Sequence, residues 1–279
     1  ESILGKDLPV KSAALITLLL LFIFAGQVQA KTLIKVGGYE FPPYIEIVDS
    51  RASGLTVELI AELNKIQSDY HFELVLTTPI RRFKDYQQGL FDAVFFEDPN
   101  WGWLQGNHII SNSPVMATDS EVFIALKQFA KSQAWFDNLE NRTLVGILGY
   151  HYPLANYESN PAVLENEYKM TLLSNHKRSI ELVLKKRSDS AIVTRSNLNQ
   201  YFSKYPKSKH LLLVSERIAQ TYNHQLLLRP THTLDISTLY KWVKRALAQD
   251  NIAARLKQLG LQQHPLTPLP FPSQTITPN

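Results

Sequence analysis

The chain has no cysteine. Disulfides, thiol nucleophiles, zinc–thiolate sites and thiol redox chemistry are therefore excluded, and the fold rests on its core alone. The sequence also lacks a Gly-x-Ser-x-Gly elbow, a phosphate-binding loop and a His-Glu-x-x-His pair. Its eight histidines are scattered, and His232 has no second candidate ligand four residues on. Nothing here assembles a nucleophile with a base or a metal cluster, so neither an enzyme nor a cofactor is expected. The formal charge is only +4. Lys and Arg are dispersed rather than gathered into a stripe, which argues against a nucleic-acid partner. No apolar run beyond Gly26 reaches the roughly 20 residues that a membrane-crossing helix needs.

The front end is distinctive. Lys6 and Lys11 precede an apolar run from Ala13 to Gly26, too short to span a bilayer, and Val28-Gln29-Ala30 supplies a small-residue exit. These are the marks of a secretory signal, residues 1–30, cleaved after Ala30, with the mature protein in the periplasm. From Thr32 the chain alternates strand-like and helix-like patterns. Strands are expected at Thr32–Val36, Phe72–Leu76 and Phe91–Phe96, with helices marked by Leu55, Leu59, Ile60, Leu63 and Ile66 and by Ile80 to Gln88. After a strand at Glu121–Leu126 and a polar stretch, the alternation resumes. Strands are expected at Thr143–Leu148, Met170–Leu173, Ala191–Thr194, Leu211–Val214 and Gln225–Leu228. Helices are marked by Ile180, Val183 and Leu184, by Ile236 to Leu247 and by Ile252 to Leu259, the last closed by Gly260. This order predicts an α/β protein of two units, each a mostly parallel sheet flanked by helices, with a cleft between them. The proline-rich stretch 262–279 has no periodicity and reads as a disordered tail.

Five segments in register carry a resemblance. They are Lys35-Val36-Gly37-Gly38-Tyr39-Glu40-Phe41-Pro42-Pro43-Tyr44, Gly54-Leu55-Thr56-Val57-Glu58-Leu59-Ile60, Gln88-Gly89-Leu90-Phe91-Asp92-Ala93-Val94, Leu144-Val145-Gly146-Ile147-Leu148-Gly149 and Lys186-Arg187-Ser188-Asp189-Ser190-Ala191-Ile192-Val193. Together they resemble the family-3 extracellular solute-binding proteins of the polar-amino-acid-binding type, over about Lys31 to Leu261. The resemblance implies the two-lobed, type II periplasmic-binding-protein fold, with lobe 1 at 31–126 plus 217–261, lobe 2 at 127–216, and two hinge strands between. It implies a monomer that closes on a small polar or anionic ligand and docks on the permease of an ABC-type transporter. Similar domains also sense ligands for membrane signalling partners, and a few relatives of the fold are dehydratases.

The candidate ligand residues are Phe41, Tyr44, Arg82, Glu97, Trp103, Tyr150, His151 and Thr194. Phe41 and Tyr44 follow the first strand on the cleft side, in a loop stiffened by Pro42 and Pro43. Aromatic faces there suit alkyl chains and cations. Arg82 opens a helix after Pro79, where an arginine can grip a carboxylate with two bonds; Arg81 is the alternative. Glu97 stands at the end of a strand as the opposite pole, and Trp103 completes an apolar wall. The resemblance implies that the turn Gly149-Tyr150-His151-Tyr152 offers backbone N–H groups to a ligand anion, to which Tyr150, His151 and Tyr152 add rings. In the family's amino-acid binders an arginine holds the α-carboxylate where this chain has Trp101 to Gly106, and an aspartate holds the α-ammonium where it has Thr194. Both ends of that clamp are missing, which predicts weak binding of common α-amino acids.

Overall fold

The computed structural model describes residues 30–106, 108–230 and 233–263. The expected signal up to residue 29, His232, and the tail from 264 lie outside the described residues. Strand β1 (Thr32–Gly38) buries Ile34 and Val36. A loop and the hairpin β2 (Glu46–Val48) and β3 (Arg51–Ser53) lead into helix α1 (Leu55–Ile66). Its buried residues Leu55, Leu59, Ile60 and Leu63 repeat at helical spacing, each buried leucine contributing about 1.5–3 kcal/mol. Strand β4 (Tyr70–Leu76), the six-residue helix α2 (Arg82–Gln87) and strand β5 (Ala93–Glu97) follow. Next come the short β6 (Ser111–Asn112) and the long β7 (Ala117–Leu126).

The second half contains β8 (Leu144–Ile147), α3 (Pro161–Asn166), β9 (Met170–Leu173), α4 (His176–Leu184), β10 (Ser190–Thr194), α5 (Arg195–Lys204) and α6 (Ser208–Leu211). Strand β11 (Leu212–Leu228) then returns to the first half, where α7 (Ile236–Leu247) and α8 (Asp250–Leu259) close the fold. Asp235 caps α7 by accepting from the N–H groups of Ser237 and Thr238, and Gly260, at φ 76°, ends α8 in the left-handed conformation.

The strands run in the order β4-β1-β5-β11-β7-β10-β8-β9. Pairing is parallel between β1 and β5 and among β10, β8 and β9. It is antiparallel where β11 meets β5 and β7 and where β7 meets β10. The result is two parallel-stranded halves joined through an antiparallel centre. Crossover helices cover the parallel parts, which is why their strands read as continuous apolar runs.

Two expectations change. The strands expected at Leu211–Val214 and Gln225–Leu228 are the two ends of one strand, the 17-residue β11. Its middle is polar and partly exposed, and its register against β7 shifts on either side of Ile218, so no apolar run marks it. The expected tail also begins later. Residues 262 and 263 form β12 (Gln262–Gln263), which pairs with Thr118 and Ala117 of β7. No helix among the described residues is long and apolar enough to cross a membrane.

Candidate functional site

The loop after β1 is set by α1. The first N–H groups of that helix lack intrahelical partners, and two of them, from Leu55 and Thr56, donate to the carbonyls of Pro43 (3.1 Å) and Tyr44 (2.9 Å). Gly54 makes this approach possible: at φ 112°, a Cβ there would lie 2.6 Å from the Tyr44 carbonyl oxygen. Phe41 bridges to Ile45, so the loop turns back on itself and points its rings inward. The Pro42–Pro43 bond is cis.

Strand β5 delivers Glu97. Between Val94 and Glu97 the strand holds one residue more than the opposing stretch of β11, and Phe96 takes φ 56°. A left-handed phenylalanine is rare outside turns, and bulges of this sort re-aim the next side chain. Glu97 is thereby buried, 1% exposed. Its Oε2 accepts from Tyr39 Oη (2.9 Å) and its Oε1 from Trp103 Nε1 (3.1 Å), with Arg82 Nε 3.3 Å from Oε1. Burial pushes the carboxyl up, and Arg82, Trp103 and Tyr39 pull it back.

Arg82 is 3% exposed. It donates from Nη1 to the Pro79 carbonyl and from Nη2 to the Trp101 carbonyl (2.9 Å), and stacks over Phe83 at 4.2 Å. Its Nε faces Glu97 at ion-pair distance but makes no aligned hydrogen bond. Arg81 points outward, 67% exposed, and pairs with Asp85. Arg82 is thus the inward arginine. With α2 only six residues long, its electrostatic environment is set by Glu97 rather than by a helix end.

Opposite lies the turn after β8. Gly149 has φ 81° and comes close to Pro79 and Ile80, where an added Cβ would be 2.9 Å from Pro79 Cβ. Tyr150 shares a hydrogen bond with His176 Nε2 (3.0 Å). His151 is held neutral, its pKa lowered to about 4 by burial and then by Arg82, and its Nδ1 has no partner. Gln220 of β11 ties this turn to the other side, accepting from Trp101 Nε1 (3.1 Å) and donating to the His151 carbonyl (2.9 Å).

Tyr39, Arg82, Trp101, Gly149, Tyr150, His151 and Tyr222 line one cavity. It leaves about 10 Å³ for the centre of a water-sized sphere, room for roughly one water. A larger groove of about 440 Å³ runs along α4 between Lys177, Arg178, Glu181, Lys185 and Arg187. It is open, two of its lysines pair with Glu181, and Leu182 is its only apolar wall. The aromatic cavity is therefore the candidate site.

Of the eight sequence candidates, Arg82, Tyr150 and His151 line the cavity. Phe41 adjoins it, its ring 5.8 Å from that of Trp101 and 5.7 Å from that of Tyr150. Glu97 faces Arg82 and so acts as its counter-charge rather than as a separate pole. Trp103 is fully buried behind Glu97, packed against Phe83 and Tyr86. Tyr44 turns into a different chain of contacts, Asp119 Oδ2 (3.1 Å) and His224 Nε2 (2.7 Å), with His224 Nδ1 on the Phe96 carbonyl (2.8 Å). Thr194 caps α5, its Oγ1 accepting from Asn197 N–H (3.3 Å). The eight candidates read from sequence did not include the wall residues Tyr39, Trp101 and Tyr222, while Gly149 entered only as part of the turn before Tyr150. Trp101 was visible beside Trp103, but Tyr222 lies in the polar middle of β11, where no strand was expected. No group of three or more candidate metal ligands occurs among the described residues.

No family model and no curated protein matches the chain. Solved structures do. An ancestral amino acid-binding protein, a precursor of cyclohexadienyl dehydratase, is 16% identical, with a TM-score of 0.59 over 81% of this chain and 95% of the other. A substrate-binding protein of an ABC uptake transporter from Streptococcus pneumoniae, with bound histidine, is 14% identical, with a TM-score of 0.58 over 82% and 90%. A histidine kinase sensor domain similar to periplasmic binding proteins is 16% identical, with a TM-score of 0.57 over 84% and 98%. At these identities the likeness is one of fold. The chain has the two-lobed fold of the type II periplasmic binding proteins.

Proposed function

We propose that this protein is a periplasmic solute-binding protein that closes on a small polar or anionic ligand and presents it to the permease of an ABC-type transporter. One observation carries the reading. Arg82 is buried, lines the cavity, and keeps an Nε that no hydrogen bond satisfies. A guanidinium has five N–H donors in a rigid fork, suited to a carboxylate. Lobe 1 would comprise 31–126 and 217–261 and lobe 2 127–216, working as a monomer after removal of residues 1–30. The cavity holds about one water, so a solute enters only as the lobes part and is enclosed as they meet.

The test is a thermal-shift screen of solutes followed by calorimetry on Arg82→Ala and Arg81→Ala. Binding at 100 times Kd adds about 2.7 kcal/mol of stability. Arg82→Ala should weaken the solute found by about tenfold or more while Arg81→Ala leaves it unchanged. Equal affinities in both variants and the parent would remove Arg82 from the site. The likeness to a kinase sensor domain supports a second reading, in which the loaded protein acts on a membrane signalling partner. Co-purification of the loaded protein with a permease, or with a receptor, from its own membranes separates the two.

A further inference from the structure

We infer that the cleft takes a monocarboxylate that carries an aromatic ring and no ammonium group, its carboxylate received by Arg82 and its ring taking the place of the Phe41 ring. This rests on the solute-binding reading and narrows it to a ligand class.

Charge is the first ground. A zwitterionic amino acid needs an acceptor for its ammonium as well as donors for its carboxylate. The buried acids Glu97, Asp98, Asp119 and Glu121 are already committed. Glu97 is engaged by Arg82, Tyr39 and Trp103. Asp98 accepts from Asn100 twice and from Asn223 N–H. Asp119 accepts from the N–H groups of Ser120 (2.7 Å) and Ser196 (3.3 Å), from the Ser196 hydroxyl and from Tyr44. Glu121, beside Tyr222, keeps its proton near neutrality, since burial pushes its pKa up to about 8. None presents a free charged face. On the positive side Arg82 is the only charged group of the wall, because His151 is neutral. Glu97 balances Arg82 from behind the wall, but the wall itself carries Arg82 and no acid, and the Arg82 Nε has no hydrogen bond, so an anionic group finds a donor there and an ammonium finds no acceptor.

Shape is the second ground. The Phe41 ring lies 4.7 to 6.4 Å, centroid to centroid, from seven aromatic rings, mostly tilted or edge-on. Among them Tyr39, Trp101, Tyr150 and Tyr222 also line the cavity. Such packing forms a slot shaped for one flat ring, and Phe41, on a loop rather than a strand, fills it. The space left beside it holds about one water, too little for a second ring. A ligand ring that replaces Phe41 keeps the edge-to-face contacts and the buried area, so the exchange is like for like. An aliphatic acid forfeits those contacts, and a neutral arene forfeits Arg82.

The experiment measures, by calorimetry and thermal shift, binding of phenylacetate, benzoate, benzyl alcohol, acetate and L-phenylalanine to the purified protein and to Phe41→Ala, Phe41→Leu and Arg82→Met. The expected result is that an aryl carboxylate binds at least about tenfold tighter than the other three compounds. Removal of the competing ring in Phe41→Ala tightens it further, and Arg82→Met abolishes its advantage over benzyl alcohol. If Phe41→Ala does not fold, Phe41→Leu and the parent protein decide. L-Phenylalanine or acetate binding as tightly as the aryl acids would overturn the ligand class and leave solute binding intact. A sugar, polyamine or peptide that binds where no aryl acid does would overturn it in the same way. Failure of every solute in a broad panel, on parent and variants alike, would remove the solute-binding reading itself.

Discussion

The ring of Phe41 meets that of Tyr150 edge to face, with centroids 5.7 Å apart and planes at 86°. Phe41 comes from the loop after β1 and Tyr150 from the turn after β8, so two distant parts of the chain close on each other through aromatic contact. Around this contact the polar groups are nearly all paired, and the pairing supports specific expectations.

Arg82 and Glu97 are partners in a site with almost no solvent. Removing one charge strands the other, at a cost of about 3–5 kcal/mol. Glu97→Ala should reach that range, because Tyr39 and Trp103 also lose their acceptor. The double variant Arg82→Met/Glu97→Gln should recover a substantial part. Chemical denaturation of the two single variants and the double checks this, and strictly additive losses would contradict it.

Stability against pH has opposed contributions, of which Glu121 and the buried histidine His176 are examples. Folded Glu121 holds its proton to about pH 8, against an ordinary 4.5. Between those values the folded state binds the extra proton, so this contribution is complete below about 4.5 and is lost as pH rises toward 8. His176 behaves in the opposite way. Burial lowers it to about 4, so the unfolded chain binds the extra proton between 4 and 6.5, and stability falls as pH drops through that window. Denaturation of Glu121→Gln should show a gain over the parent that grows by about 1 kcal/mol or more between pH 5 and 8. His176→Gln should flatten the acid limb below pH 6.5. An unchanged profile in either variant would refute its assignment.

Gly149 sits where the turn after β8 touches Pro79 and Ile80. Gly149→Ala places a Cβ against them at a positive φ, costing about 1–3 kcal/mol. The relief available is separation of the two sides. Small-angle scattering should therefore report a larger radius of gyration along with a lower Tm, whereas a destabilised variant of unchanged radius would mean that the strain is absorbed locally.

Thr194 was a ligand candidate by position, but its hydroxyl caps α5. Thr194→Val should cost about 1 kcal/mol of stability and leave solute affinity unchanged. A loss of affinity at constant stability would return it to the binding site.

Much of the fold was legible because the parallel strands are covered on both faces and so appear as short apolar runs. β8, β9 and β10 fall within a residue of their expected limits. β11 was not legible as one strand, since its exposed, twisted middle is held by pairing with β7 rather than by burial. The helices α3, α5 and α6 are short or polar and gave no clear period. At the site, residue type pointed to Arg82, which lines the cavity, but direction could not be read. Whether Glu97 faces a solute or Arg82 depends on the backbone kink at Phe96, and Trp103 and Trp101 lie two positions apart on a loop with no fixed period.

Strand β11 has a consequence for how the chain matures. It is the common neighbour of β5 and β7, yet it is made long after both. A nascent chain that has not yet reached Leu228 carries an open sheet edge on each half, and such edges pair readily with other chains. Fragments ending before residue 212 should therefore aggregate rather than yield a folded first half. Pairing of β11 with β5 and β7 seals both edges together, so the two halves acquire their final form in one step.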